Sequence, residues 1–172
     1  MTPSDHVPDH VSHHPPEVPP PVAAVPPTDP PTDPPTVLVV DDLEDTRRVL
    51  AGLLRLGGYR PVKAADGPAA LRAVEGEAPD LVLLDLHMPG MDGAEVLRRL
   101  REDPRWRDLP VILFTAVCHG PLIERVGRLG VRDFIFKGNV GSWDLLGRVA
   151  EHLPPSRKAP GSRQPHGSGH PN

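Results

Sequence analysis

The chain is short of cysteine, of aromatic residues and of any long apolar stretch. Of its 172 residues one is cysteine, Cys118, and six are aromatic. A single thiol cannot close an internal disulfide, which fits a reducing compartment. No apolar run approaches the roughly 18–20 residues that a bilayer span needs. The N-terminus, MTPSDHVPDH, lacks the basic and apolar regions of a signal peptide. Together these absences predict a cytoplasmic protein that makes no membrane contact. Lysine and arginine are missing from residues 1–36, and the whole chain carries a net charge of −4. A nucleic-acid binder would carry a basic footprint, so direct nucleic-acid binding is not expected.

What the chain does have is proline, unevenly spread. Thirteen prolines lie in residues 1–36 and five in 154–172, leaving seven for the 117 residues between. The ends are also poor in large apolar side chains, and all six aromatics (Tyr59, Trp106, Phe114, Phe134, Phe136, Trp143) fall in the middle. Segments of that composition cannot offset their ordering entropy by burial. The expected organisation is a disordered proline-rich tail over 1–36, one domain over 37–153 and a second disordered tail over 154–172. In polyproline II form the first tail would reach on the order of 100 Å, at about 3.1 Å per residue. Its Pro16-Glu17-Val18-Pro19 fits a PxxP ligand in form, but in so proline-rich a stretch it reads as solvated spacer. The tail histidines (His6, His10, His13, His14, His166, His170) lack a folded scaffold to set metal geometry. Nineteen residues follow Leu153, too few for a second folded output module.

From Thr36 the pattern alternates between strand and helix. TVLVV (36–40) is a β-branched run too apolar to alternate, as expected of a strand covered on both faces. A helix over Leu43–Leu56 follows, with Val49, Leu50, Leu53 and Leu54 at helical spacing and a stop at Gly57-Gly58. Arg60–Ala64 is a weaker strand, and Pro61 assigns it to the sheet edge, because proline cannot donate to a central ladder. Pro68–Val74 is a short helix opened by proline. Leu81–Leu84 is a strand, Ala94–Arg101 a helix with Val96, Leu97 and Leu100 inward, and Val111–Phe114 a strand. Leu122, Ile123, Val126 and Leu129 mark a helix weakened by glycine; Phe134–Phe136 is the last strand and Ser142–Leu153 the last helix.

Five strand–helix units in order predict an α/β fold: a five-stranded parallel sheet, doubly wound, with helices on both faces. Ligands of such sheets bind outside the carboxyl ends of the strands. Asp41 and Asp42 end the first strand, Asp85 the third, Thr115 the fourth and Lys137 the fifth. Singly each has an ordinary reading; an aspartate after a strand, such as Asp42, is often a helix N-cap. Jointly they bring three carboxylates, a hydroxyl and an ammonium to one edge. Clustered carboxylates repel unless a cation sits among them. The cation expected is Mg²⁺, which prefers oxygen ligands and shares its shell with phosphoryl groups. Phosphoryl transfer to a carboxylate is the chemistry this favours.

At VVDD (39–42), LVLLDLHMPGMDG (81–93), ILFTA (112–116) and FIFKG (134–138), residues 37–153 resemble a receiver domain of the two-component response regulators, single-domain type. That resemblance implies a flavodoxin-like (βα)5 sheet of strand order 2-1-3-4-5. It implies that Asp85 is the phosphoacceptor for a sensor histidine kinase or hybrid kinase. Mg²⁺ would be held by Asp41, Asp42, Asp85 and the backbone carbonyl of His87, while Thr115 and Lys137 contact the phosphoryl group. Phe134 would be the aromatic that turns inward as Thr115 moves, with the small Ala116 leaving room for it. Such a domain catalyses only its own phosphorylation and dephosphorylation. It either switches contacts with a downstream protein or relays its phosphoryl group to a phosphotransfer protein.

The chain departs from the family pattern in two places. Gly138 stands where the family usually has proline after the lysine. A cis bond before glycine costs roughly 2.5–4 kcal/mol, so a trans bond and a loosened loop into the last helix are expected. The segment Val117-Cys118-His119-Gly120-Pro121 is unusual too, and Cys118 lies close to the site. With Val117 unable to hydrogen-bond an attacking water and His87 placed to shield or orient one, a long-lived phosphoaspartate is expected. A haloacid-dehalogenase-type phosphatase would need an acid/base aspartate where His87 stands. A pseudo-receiver that signals without phosphorylation is the other reading, favoured only by Gly138.

Overall fold

In the computed structural model, which describes residues 33–116, 121–138 and 141–153, strand and helix alternate as the sequence pattern predicts. The expectations for the tails beyond those limits, and for Val117 and Cys118, lie outside the described residues. The elements are β1 (Thr36–Val40), α1 (Glu44–Leu56), β2 (Arg60–Ala64), α2 (Gly67–Glu77), β3 (Leu81–Leu84), α3 (Gly93–Glu102), β4 (Val111–Thr115), α4 (Pro121–Gly127), β5 (Asp133–Phe136) and α5 (Ser142–His152). All pairings are parallel, in the order β2-β1-β3-β4-β5. β2 with its Pro61 is an edge strand, as proline requires. Among the described residues no helix is long and apolar enough to cross a membrane.

Successive side chains of a strand point to opposite faces, and this splits the core in two. Leu38, Val40, Val82, Leu84, Val111 and Leu113 pack with Ala70, Val74, Val96, Leu97, Leu100 and Val126, on the side of α2, α3 and α4. Val37, Val39, Leu81, Leu83, Ile112 and Ile135 pack with Leu50, Leu54, Leu145 and Val149, on the side of α1 and α5. Each face of the sheet thus buries one residue of every apolar pair, which is why these strands have no polar alternation.

Three details differ from the sequence-based expectation, and the ordinary reading of Asp42 is excluded. Val49 is 61% exposed, and the buried stripe of α1 is Arg47, Leu50, Ala51 and Leu54. Leu129 lies in the turn after α4 rather than on it. α2 runs on through Gly76 to Glu77, and ends at Ala78 in a left-handed conformation. Asp42 is not the cap of α1: that position is Leu43, whose N–H donates to Asp41 Oδ1 at 2.9 Å.

One ion-pair cluster ties β5 to α5. Asp133 Oδ2 accepts from Arg148 Nη1 at 2.7 Å and lies 3.3 Å from His152 Nε2. Burial works against ionisation of Asp133, but Arg148, the Phe134 N–H and His152 outweigh it and hold the carboxyl below its ordinary value. A carboxyl lowered on folding adds stability above its unfolded pKa and loses it as pH falls through the native one. Asp133→Asn is therefore expected to destabilise by about 1–2 kcal/mol at pH 7. The deficit should shrink below about pH 4. Urea unfolding across pH measures this, and an equal deficit at acid and neutral pH would assign the effect to shape instead of charge.

Candidate functional site

The site is built by register. Val40 of β1 stands opposite Leu84 of β3, so the next residues, Asp41 and Asp85, emerge side by side. Thr115 of β4 pairs with Phe136 of β5, one residue before Lys137. The ladder then continues past the strand ends. Asp85 N–H donates to the Val40 carbonyl (2.8 Å), Asp41 N–H to that of Ala64 (3.2 Å) and Lys137 N–H to that of Thr115 (3.0 Å). Backbone hydrogen bonds thus fix the positions of both buried acids and the lysine independently of their side-chain contacts.

Asp41, Asp42 and Asp85 each present a carboxylate oxygen within 4.8 Å of the others. Asp41 and Asp85 are buried and Asp42 is half-buried. Lys137 Nζ lies 2.7 Å from Asp41 Oδ2 and 2.7 Å from Asp85 Oδ2. Its contact with Asp85 is an aligned hydrogen bond, whereas that with Asp41 is a charge contact without hydrogen-bond alignment. Burial alone would lower the Lys137 pKa, but the two carboxylates more than offset it and raise the value above the usual one. The ammonium also sits 5.8 Å from the centre of the Phe114 ring.

The other expected residues surround this cluster. Thr115 is fully buried at the carboxyl end of β4. Ala116 follows it, exposed, and Phe134 is half-buried against the core on the side of α2, α3 and α4. The His87 N–H donates to Asp85 Oδ1 at 3.3 Å, and its side chain is exposed. Gly138 is exposed, and a Cβ there would meet nothing within 4 Å.

The segment 85–93 has a local reason for each of its turn residues. Gly90 adopts φ +78°, a left-handed conformation that suits glycine. Asp92 caps α3 by accepting from the Glu95 N–H at 2.8 Å. Gly93 N–H donates to the Leu86 carbonyl at 3.1 Å, closing the loop onto the residue after Asp85. Sequence reasoning quoted Gly93 only as the end of the 81–93 motif, without a role, and missed Arg47. Arg47 is buried one turn into α1, donates to the Asp41 carbonyl from Nη1 and pairs with Glu44. Nothing in its sequence context separates it from the exposed Arg48.

The donor set fits a hard divalent cation. Asp41 Oδ2 is buried with the Lys137 ammonium as its charge contact but no aligned hydrogen-bond donor, which leaves coordinating capacity on that oxygen. Three carboxylates face a single ammonium, and Mg²⁺ takes oxygen ligands of this kind. Asp42→Asn should therefore stabilise the metal-free protein by about 1 kcal/mol, the scale of two charges ~4 Å apart under strong screening. The same substitution should reduce the melting-temperature rise on adding Mg²⁺. A fall in metal-free stability would mean that Asp42 is held by attraction instead of repelled.

The sequence profile described as the response regulator receiver domain matches residues 37–148. The response regulator PleD of Caulobacter vibrioides is 43% identical over 102 residues, which are 59% of this chain and 22% of PleD. The chain thus spans about a fifth of that relative's length. The chemotaxis protein CheY of Pseudomonas aeruginosa is 36% identical over 102 residues, 82% of its own length and 59% of this chain. Among solved structures, Vibrio cholerae chemotaxis protein CheY4 superposes with a TM-score of 0.65 at 25% identity, covering 70% of this chain and 99% of that one. With the sheet order, the acidic cluster and these likenesses in agreement, the chain belongs to the response regulator receiver domain family of two-component signalling.

Proposed function

We propose that this chain is a phosphoacceptor response regulator of the cytoplasm. Asp85 takes a phosphoryl group from the phosphohistidine of a sensor histidine kinase or hybrid kinase. An Asp85 carboxylate oxygen attacks phosphorus, a P–O bond forms, the P–N bond breaks and the imidazole leaves. Asp41, Asp42, Asp85 and the main-chain carbonyl of His87 would hold Mg²⁺, which would neutralise charge on the transferring group. Lys137 and Thr115 receive the phosphoryl oxygens. Phe134 and Ala116 respond to the movement of Thr115, and the resulting state changes contacts with a downstream protein or passes the phosphoryl group to a phosphotransfer protein.

The observation that carries this reading is the position of Lys137 Nζ, 2.7 Å from both Asp41 and Asp85. An ammonium bridging two acids at the carboxyl edge offsets part of their mutual repulsion and stands ready to follow charge onto a phosphoryl group. Acetyl phosphate, with and without Mg²⁺, followed by intact mass on wild type and Asp85→Asn, tests it. One added phosphoryl group that needs both Mg²⁺ and Asp85 is the expected result. No adduct on the folded, Mg²⁺-loaded chain would overturn it.

A further inference from the structure

A second concentration of charge lies at the opposite edge of the sheet, where β4 and β5 begin. Arg107 and Asp108 stand just before β4, Arg128 and Arg132 in the connection from α4 to β5, and Arg101 reaches in from the end of α3. With Leu129 among its walls, they line an open cavity of about 500 Å³. Four guanidinium groups face one carboxylate there.

Arg101 anchors the cavity. Its Nε donates to the Leu129 carbonyl (2.9 Å), Nη2 to that of Gly130 (3.0 Å) and Nη1 to that of Trp106 (3.3 Å). All three partners are neutral carbonyls, so the side chain is fixed in place with its charge uncancelled. Burial lowers its pKa, Arg132 adds to that effect and Asp108 offsets part of it, as expected where cations outnumber anions. Elsewhere Arg98, Arg99, Arg105 and Arg148 each meet a carboxylate. Among the described residues, no ion pair neutralises Arg101, Arg107, Arg128 or Arg132.

We propose that this cavity binds a phosphate-bearing small molecule through Arg101, Arg107, Arg128 and Arg132. Guanidinium forks match phosphate oxygens two at a time. The volume lies in the range of small-ligand sites. A side chain already fixed by the backbone has less freedom to lose on binding. A half-buried guanidinium anchored by backbone carbonyls within the cavity lining favours a ligand small enough to reach it over a flat acidic protein surface. The cavity lies at the opposite ends of the strands from the acidic cluster and shares no residue with it, so its test does not rest on the proposed phosphorylation of Asp85.

Calorimetric titration of the full chain with ATP and with inorganic tripolyphosphate, in Mg²⁺-free buffer at ~0.15 M salt, tests the proposal. Without metal the acidic edge repels both probes. Arg107 and Arg132 are exposed, so Arg107→Ala with Arg132→Ala should fold normally. Saturable binding to wild type, weakened at least about tenfold in that double variant and unchanged in an Arg48→Ala, Arg99→Ala control, is the expected result. Equal affinity for the two probes assigns recognition to the phosphate chain; tighter ATP binding adds a contact to the nucleoside. Absence of saturable binding to wild type, or an equal loss in both double variants, would overturn the site.

Discussion

Lys137→Ala is expected to destabilise the metal-free protein by about 2–4 kcal/mol. Removing one partner of a buried ion pair typically costs 3–5 kcal/mol. Lys137 bridges two acids, but its side chain is 19% exposed, so solvent screens part of the effect. The loss arises because Asp41 and Asp85 would face each other with Asp42 beside them and no cation in contact. Mg²⁺ should restore much of the lost stability, since it would supply the missing charge without competing against the ammonium. The Mg²⁺-induced shift in melting temperature should therefore be larger in the variant than in wild type.

The pH dependence of that deficit has a definite sign. A lysine whose pKa is raised on folding contributes stability that is fully present below its unfolded value near 10.5. That stability is lost as pH climbs through the raised native value. The gap between wild type and Lys137→Ala should be flat from neutral pH to about 10 and close only above it. A gap that instead closes between pH 5 and 8 would place its origin in another group. Labelling of the variant by acetyl phosphate should also fall by about 100-fold or more, the scale of losing one preorganised charge at the reacting group.

Gly93→Ala is the second large effect expected. A Cβ on Gly93 would lie 2.1 Å from the Asp85 carbonyl oxygen and 2.9 Å from Leu86 Cα. Both are backbone atoms on the loop that carries Asp85, so the clash cannot be relieved by a side-chain rotation. The start of α3 and the segment after Asp85 would have to separate by more than ~1 Å, at a cost of about 2–4 kcal/mol. Displacement on that scale should slow acetyl phosphate labelling by about 100-fold. Gly52→Ala is the control: it sits inside α1 with nothing within 4 Å of its Cβ. There the gain in helix propensity should raise stability by up to about 1 kcal/mol. If Gly93→Ala behaves like Gly52→Ala, the close approach at the loop carries no constraint.

Much of this protein was legible in its sequence because parallel strands covered on both faces are written as unbroken apolar runs. TVLVV, LVLL and VILF could be placed from composition alone, and a chain of alternating units has few ways to wind. Pro61 located an edge strand because proline lacks the donor a central ladder needs. The polar residues at the strand ends were visible for the same reason: each interrupts an apolar run at the edge where doubly wound sheets bind ligands.

Other features needed the tertiary structure. Val49 shares the apolar character of Leu50, yet it is exposed while Arg47 is buried. Helical spacing alone left both edges of the buried stripe undetermined, and the Asp41 carbonyl and the Glu44 carboxylate draw the arginine in. Gly93 ends the 81–93 motif, but the reason for it, a backbone approach to Asp85 eight residues earlier, appears only in the structure. The bridge from Lys137 to Asp41 and Asp85 joins three strands through register, and the arginine cavity joins an α3 terminus to the loop before β5. By itself the sequence determined the strands, their order along the chain and the chemistry at their ends, because those follow from local apolar patterning. Which charges meet, and which stay unpaired, was decided by packing, because electrostatic contact depends on distance in space and not along the chain.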